Sequence, residues 1–208
     1  MQQQTDEWRL ARCGKVTASR IADLMARTKS GYGASRSNYM AELLTERLTG
    51  QPAEHYTNSA MEWGTANEGS ARTAYELTQN VMVEEVGFIQ HPLIEDTGAS
   101  PDGFVGDLGM VELKCPNTAT HLDLLLNQSV PDKYIKQMQW QMACTGRRWC
   151  DFASFDPRLP NRMQLFVRRL DLDVSLIGDM ESEVRAFLKE LEAKISALTA
   201  RYGLSEAA

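Results

Sequence analysis

The chain has 208 residues, 43% of them hydrophobic and 24% charged, a balance that excludes disordered, collagen-like and coiled-coil architectures. A chain of that length buries roughly 70% of its unfolded surface, enough for one core without disulfide or metal staples, so residues 1–208 are expected to form a single domain. No apolar run approaches the roughly 20 residues of a membrane span, and the opening MQQQTDEWRL lacks the apolar stretch of a signal peptide, so a soluble cytoplasmic protein is expected.

The formal net charge of -6 argues against a general polyanion binder, yet the charge is unevenly placed. Residues 1–40 carry seven Lys or Arg against three acids (7 - 3 = +4), and residues 41–85 carry two against eight (2 - 8 = -6). One segment is therefore suited to phosphates while another gathers carboxylates. Cys13, Cys115, Cys144 and Cys150 form no C-x-x-C pair and no zinc-like spacing, which predicts reduced thiols.

In chain order, residues 17–27 place Ile21, Leu24 and Met25 at helical spacing behind Thr17 or Ser19 as N-cap, predicting a first helix. Residues 28–37 (TKSGYGASRS) read as a flexible loop, and residues 38–49, closed by Gly50, as a second helix. A longer helix over 59–78 carries Met61, Trp63, Ala66, Ala71, Ala74, Tyr75 and Leu77, with a break expected near Gly64 or Gly69. The period then shortens. Residues 81–89, 103–105, 109–114, 150–155 and 163–170 are β-branched or aromatic runs bounded by turn residues, and they predict the strands. Helical stretches over 118–126 and 132–145 separate the third strand from the fourth, as a crossover between strands of one sheet requires. Residues 174–199 put Ile177, Met180, Val184, Phe187, Leu188, Leu191, Ile195 and Leu198 on one face of a last helix expected to pack on the sheet. The order predicts a mixed α/β domain with a central mixed β-sheet flanked by helices.

Ser100-Pro101-Asp102-Gly103, followed by Glu112-Leu113-Lys114, is the most informative feature. Asp102 opens one strand and Glu112 lies on the next, with Gly106–Gly109 as the hairpin turn between them. Glu112 and Lys114 are two apart, so both project from one face while Leu113 points the other way. Two adjacent carboxylates repel unless a cation lies between them, and hard oxygen ligands, with the Leu113 carbonyl as a possible backbone donor, suit Mg²⁺ or Mn²⁺. The same residues also fit a surface ion pair across a hairpin. Three features favour the functional alternative: Lys114 sits in the apolar frame of Val111, Leu113 and Cys115; Glu68 follows Gly64 by one helical turn; Gln137 and Gln141 put two amides on one helix face.

With Tyr134-Ile135-Lys136-Gln137-Met138-Gln139, the opening Trp8-Arg9-x-x-Arg12-x-Gly14-Lys15-x-Thr17-Ala18-Ser19 and Phe155-Asp156-Pro157-Arg158, these blocks resemble the PD-(D/E)xK nuclease superfamily. Within it, nearly the whole chain is similar to the lambda-type alkaline exonucleases, the YqaJ-like viral recombinases. The resemblance implies a PD-(D/E)xK nuclease fold and a 5′-to-3′ exonuclease that degrades one strand of linear duplex DNA to mononucleotides, leaving a 3′ overhang for phage-type recombination. It implies Asp102, Glu112, the Leu113 carbonyl and Glu68, directly or through water, as ligands of two Mg²⁺ ions, with Mn²⁺ as substitute, and Lys114 as the residue that orients or deprotonates the attacking water. Arg12, Ser19, Ser100 and Gln137 match a 5′-phosphate pocket. A ring-shaped homotrimer, a single-strand annealing protein as partner and the cytoplasm of a bacterial host cell follow from the same resemblance. Lys29, Arg36, Tyr32 and Met61 are candidate contacts to the duplex.

Trp63, Trp140 and Trp149 read as core, Trp8 stays ambiguous, and His55, His91 and His121 have no ligand spacing. Gln141 stands where many relatives of the wider superfamily have tyrosine. An endonuclease or junction resolvase of the same fold, an inactive DNA-binding module, or a metal hydrolase acting outside nucleic acids are the rival readings.

Overall fold

The computed structural model describes residues 2–53 and 58–203, so His55 lies outside the described residues. A short helix, α1 (Asp6–Arg12), opens the chain, capped by the Thr5 hydroxyl accepting from the Trp8 N–H. It was not anticipated from periodicity, because it buries no residue. The expected helix over 17–27 is replaced by β1 (Val16–Thr17), a 3₁₀ turn (Ala18–Arg20) and the single-turn α2 (Ile21–Leu24). The reason is tertiary: Val16 and Thr17 pair in parallel with a later strand, β6 (Thr97–Ala99), which fixes them in extended conformation. Ser19 consequently lies inside the 3₁₀ turn and caps nothing.

The expected flexible loop over 28–37 is a hairpin, β2 (Arg27–Thr28) with β3 (Gly31–Tyr32), followed at once by α3 (Ala34–Thr49). Lys29 and Ser30 make the turn, and Gly31, at φ +134°, opens β3 in a conformation suited to glycine. α4 (Ser59–Gln79) runs unbroken through Gly64 and Gly69, where added side chains would meet open space and no close packing demands a break. Of the run 81–89 only β4 (Val83–Glu84) and the start of β5 (Ile89–Gln90) are extended.

β7 (Gly103–Val105) and β8 (Gly109–Lys114) form the predicted antiparallel hairpin. α5 (Thr118–Asn127) and α6 (Asp132–Thr145) then cross over to β9 (Trp149–Phe155), which lies parallel to β8, and β10 (Leu165–Asp171) returns antiparallel. The main sheet has the order β10-β9-β8-β7-β4, and a smaller one runs β1-β6-β5. Val111, Leu113, Ala153 and Phe155 bury one face of the main sheet against Ala71 and Tyr75 of α4, while Met110, Phe152 and Phe166 meet Met138 and Met142 of α6 on the other. This is the mixed α/β architecture read from the sequence.

The last helix, α7 (Val174–Tyr202), does not pack on the sheet as expected. Ile177, Met180, Val184, Phe187 and Leu191 join Ile21, Leu24, Tyr39, Leu43 and Trp140 in a helical core, because α6 already covers that sheet face and turns Trp140 and Cys144 outward toward α7. All four cysteines are free thiols.

Gly109 starts β8 directly opposite Trp149, and a Cβ there would lie 2.0 Å from the indole ring. Gly109→Ala is expected to destabilise the protein by about 1–3 kcal/mol, read as a lower urea midpoint at unchanged m-value.

Candidate active site

Strand alternation turns Val111 and Leu113 toward α4 and leaves Glu112 and Lys114 facing α6. Glu112 is completely buried. Its Oε1 accepts from Gln137 Nε2 at 2.6 Å, its Oε2 accepts from Gln141 Nε2 at 2.6 Å, and Lys114 Nζ pairs with Oε1. The pair is therefore not a surface ion pair. Gln137 and Gln141 are one turn apart on α6, so both amides reach the same carboxylate. Gln141 does the work of a donor that a tyrosine would also do, but its Oε1 is left buried without a partner among the described residues.

Asp102 precedes β7, and its Oδ2 accepts the Leu113 N–H at 2.7 Å. The N–H and C=O of one extended residue point to the same side of a strand. The β7 ladder ends at Gly103 opposite Val111, so the Leu113 carbonyl faces the open edge beside Asp102. Burial, reinforced by the charge of Glu112, holds the Asp102 carboxyl well above the usual carboxylate range; Lys114 and the Leu113 N–H oppose this without overcoming it. Lys114 is driven the other way. Burial works to discharge it, but Glu112 and Asp102 outweigh burial and raise its pKa. One ammonium thus faces two carboxylates in a desolvated space, and an added cation relieves the imbalance.

The donor set fits a hard divalent ion. Among the described residues no three His, Cys, Asp or Glu side chains converge on one point. A cation here draws on the two carboxylates, the Leu113 carbonyl and water, an all-oxygen set proper to Mg²⁺ or Mn²⁺. Glu68 lies on α4 near enough to push the Asp102 pKa up, and is tied to Arg72 at 3.4 Å.

Two residues before Asp102, the Ser100 hydroxyl accepts from Trp8 Nε1 at 2.9 Å and from Arg12 Nη1 at 3.2 Å, while the Arg12 guanidinium stacks on the Trp8 ring at 4.0 Å. Burial lowers the Arg12 pKa, opposed by Tyr39 and Glu46. Arg12, Ser19, Trp8, Lys15, Thr17 and Met61 line a pocket of about 290 Å³. The loop that follows Arg12, the last residue of α1, and carries Lys15 is clamped from α3: Glu46 Oε2 accepts the Gly14 N–H at 2.7 Å and Arg47 Nε donates to the Gly14 carbonyl at 2.8 Å. Gly14 takes φ +70°, and a Cβ there would meet Arg47 Cγ at 2.8 Å.

The structure thus gathers Arg12, Ser19 and Ser100 as the sequence suggested and resolves Trp8 as part of the same pocket. Gln137 is placed at the carboxylate: one amide N–H goes to Glu112 Oε1, and its second N–H makes no hydrogen bond among the described residues. Lys15 was not singled out for binding, although the Arg-x-Gly-Lys spacing carried the signal. Met61, 51% exposed, borders the pocket, and Lys29 lies exposed in the β2–β3 hairpin. Arg36 is a correction. It is only 6% exposed, donates to Glu190 at 2.8 Å and stacks on Tyr32 and Phe187, so its charge is spent inside the fold. Tyr32 donates to Glu183 at 3.0 Å and is likewise anchored to α7. His121 joins Ser154 and the Met163 carbonyl, both at 2.8 Å, and His91 stacks on Trp140, so both histidines are structural.

With this geometry in place, the comparisons with known proteins decide the family. The model of the YqaJ-like viral recombinase domain matches residues 7–148. The chain belongs to that family. Among solved structures, an alkaline exonuclease from Laribacter hongkongensis, LHK-Exo, is 53% identical with TM-score 0.90, covering 96% of this chain and 98% of its own, and it has also been crystallised in complex with dAMP. A phage-related exonuclease from Haemophilus somnus 129PT shares the fold at 17% identity and TM-score 0.73, covering 88% of this chain and 96% of its own. No curated protein matches the chain. Among the described residues no helix is long and apolar enough to cross a membrane.

The raised Asp102 pKa has a testable consequence for the metal-free protein. A carboxyl whose folded pKa lies above its unfolded value contributes stability below the unfolded pKa, near 4, that is lost as pH rises through the folded pKa. In chelator, Asp102→Asn is expected to unfold later than wild type at pH 9, by on the order of 1–3 kcal/mol, with the difference vanishing near pH 4. Thermal melts across that range check it, and a variant less stable than wild type at pH 9 contradicts it.

Proposed function

We propose that this YqaJ-family chain is a Mg²⁺-dependent exonuclease that degrades one strand of linear duplex DNA from its 5′ end, releasing mononucleotides and leaving a 3′ overhang. The observation that carries the reading is the group of half-buried Asp102, buried Glu112 and half-buried Lys114, with Ser100, the partner of Arg12, two residues before Asp102. A scissile phosphodiester and a terminal phosphate are neighbouring groups on a DNA strand, and the reading assigns them to Asp102 and to the Arg12–Ser100 pair two residues before it. The 53% identity to an alkaline exonuclease over nearly the full chain supports the same chemistry.

In this reading Asp102, Glu112 and the Leu113 carbonyl hold the ion, and Glu68 supports a second one through water. Bound Mg²⁺, or Mn²⁺ in its place, supplies activation of water and neutralisation of charge on the phosphate oxygens. Lys114, kept cationic by Glu112, orients the attacking water and faces the phosphate. Gln137 and Gln141 hold both oxygens of Glu112 and fix its plane. Arg12 offers a planar fork to the terminal phosphate, with Ser19 and Ser100 as hydroxyl partners and the second amide N–H of Gln137 as a further donor. Lys29, Met61 and the exposed Tyr32 remain the duplex contacts of this proposal. A homotrimeric ring, a single-strand annealing protein that receives the 3′ overhang, and action in the cytoplasm of a bacterial host complete it.

Digestion of linear duplex with 5′-phosphate or 5′-hydroxyl ends, beside a closed circle, is the test. Mononucleotides from the phosphorylated linear substrate in Mg²⁺, none in chelator, and an intact circle are the expected results, with Lys114→Ala lowering kcat by about 100-fold or more. Arg12→Ala is expected to erase the preference for 5′-phosphate, a loss of about 1.5–3 kcal/mol in the first cut. Cleavage of the circle instead makes the protein an endonuclease.

A further inference from the structure

The Phe155-Asp156-Pro157-Arg158 segment has no part in the chemistry proposed so far, yet it lies at the same sheet edge. β8 and β9 are parallel with Lys114 opposite Ser154, so Asp156 leaves the sheet one strand over from the residues that follow Lys114. Asp156 is completely buried. Its Oδ1 accepts from Arg158 Nε at 2.7 Å and from the Arg158 N–H at 3.0 Å, and its Oδ2 accepts from Nη2 at 2.9 Å. The guanidinium lies over the Trp63 ring at 4.2 Å, and Nη2 also reaches the Pro116 carbonyl at 3.4 Å, two residues beyond Lys114. Nη1 makes no hydrogen bond among the described residues, and the side chain is 44% exposed. An intrinsically mobile arginine is thus held by a carboxylate, a ring and a carbonyl, with one edge presented to solvent. Such presetting removes the entropy that the side chain otherwise loses on gripping a ligand.

The strand order then decides where that edge points. β7 flanks β8 on one side and β9 on the other. Along the sheet edge β7 begins beside Asp102, with Ser100 and its partner Arg12 two residues upstream, β8 ends in Glu112 and Lys114, and β9 runs out into Asp156 and Arg158. The strand of Asp102 and the strand leading to Arg158 thus flank the strand of Glu112 and Lys114. A strand whose terminal phosphate lies against Arg12 and whose first internucleotide phosphate lies at the carboxylates continues toward Arg158.

We propose that Arg158, set in place by Asp156 and Trp63, binds a backbone phosphate of the degraded strand on the 3′ side of the scissile phosphate. This rests on the exonuclease reading and adds a third phosphate subsite to it. Phosphate there would be gripped through Nη1, the planar fork giving a directed charge-assisted hydrogen bond.

The test uses the full chain in Mg²⁺ on 5′-phosphorylated linear duplex, comparing wild type, Arg158→Gln and Arg158→Lys. A neutral methylphosphonate replaces, in turn, the first or second phosphate 3′ of the scissile bond. Arg158→Gln is expected to raise KM about tenfold with kcat for the first cut little changed, and to flatten the slope of log K against log salt by about 0.9. At one of the two positions methylphosphonate costs wild type a similar tenfold and costs Arg158→Gln nothing further. Arg158→Lys keeps a cation on Asp156 and recovers part of the loss. An unchanged salt slope, or a methylphosphonate penalty equal in wild type and Arg158→Gln, overturns the inference and leaves Arg158 as a cap on Asp156. Should the Gln variant unfold, the wild-type methylphosphonate series decides alone, since no penalty at either position also overturns it. Wild type that leaves the phosphorylated duplex intact overturns the exonuclease reading and this inference together, whereas active wild type with an indifferent Arg158→Gln sinks the inference only.

Discussion

A carboxylate with no exposed surface in the middle of the sheet is the constraint on which the rest of this structure depends. Burying Glu112 costs several kcal/mol unless its oxygens are fully engaged, and three donors engage them: Lys114 from its own strand, and Gln137 and Gln141 from α6. That demand fixes the height and rotation of α6 over β8. Because α6 is also the crossover that makes β9 parallel to β8, the same placement brings the C-terminal ends of both strands, Lys114 and Asp156, to one edge of the sheet. Open α/β sheets present their ligand sites at such edges. Here two acids share one lysine, so both can be ionised at neutral pH only when a further cation joins them, which makes the edge an opening for a divalent ion.

The acidic overall charge and a phosphate-seeking site are reconciled by how the cations are distributed. Of the basic residues in the first 40, Arg9 pairs with Asp6, Arg20 with Asp23 and Glu42, Arg27 with Glu183 and Arg36 with Glu190. Those four stabilise helices and the helical core. Arg12 and Lys15 have no carboxylate partner among the described ion pairs, and both line the pocket beside Ser100. Positive potential is thereby concentrated where a terminal phosphate is to be held, and the clamp of Glu46 and Arg47 on Gly14 keeps it there. The carboxylates of residues 41–85 serve partly as structural acceptors, as Glu46 and Glu76 do for backbone N–H groups.

Local pattern was a sound guide wherever a rule of spacing has one outcome. The alternation Val111, Glu112, Leu113, Lys114 can place the two charges only on one face of a strand, and Gln137 and Gln141, four apart, only on one face of a helix. It failed where a short segment was recruited by a distant partner. Ile21, Leu24 and Met25 carry a helical period, but Val16 and Thr17 are drawn out by β6, whose own three residues, Thr97, Gly98 and Ala99, give almost no strand signal. Arg36 looked like a free loop cation because nothing near it in sequence announces Glu190, 154 residues away.

The sequence alone therefore determined the fold class, the hairpin that joins Asp102 to Glu112 and the identity of the charged set, since each follows from periodicities of two and 3.6 residues and from the kinds of side chain that can share a desolvated pocket. Only the tertiary structure decided that α7 packs on helices, that Gln137 reaches Glu112, and that Trp8 joins Arg12 and Ser100. Those outcomes depend on which faces remain uncovered once the sheet is assembled, a property of the whole chain that no local window contains. The approach of Arg158 to the residues that follow Lys114 has the same origin: it reaches the Pro116 carbonyl, 42 positions away in the sequence, only because β9 lies parallel beside β8.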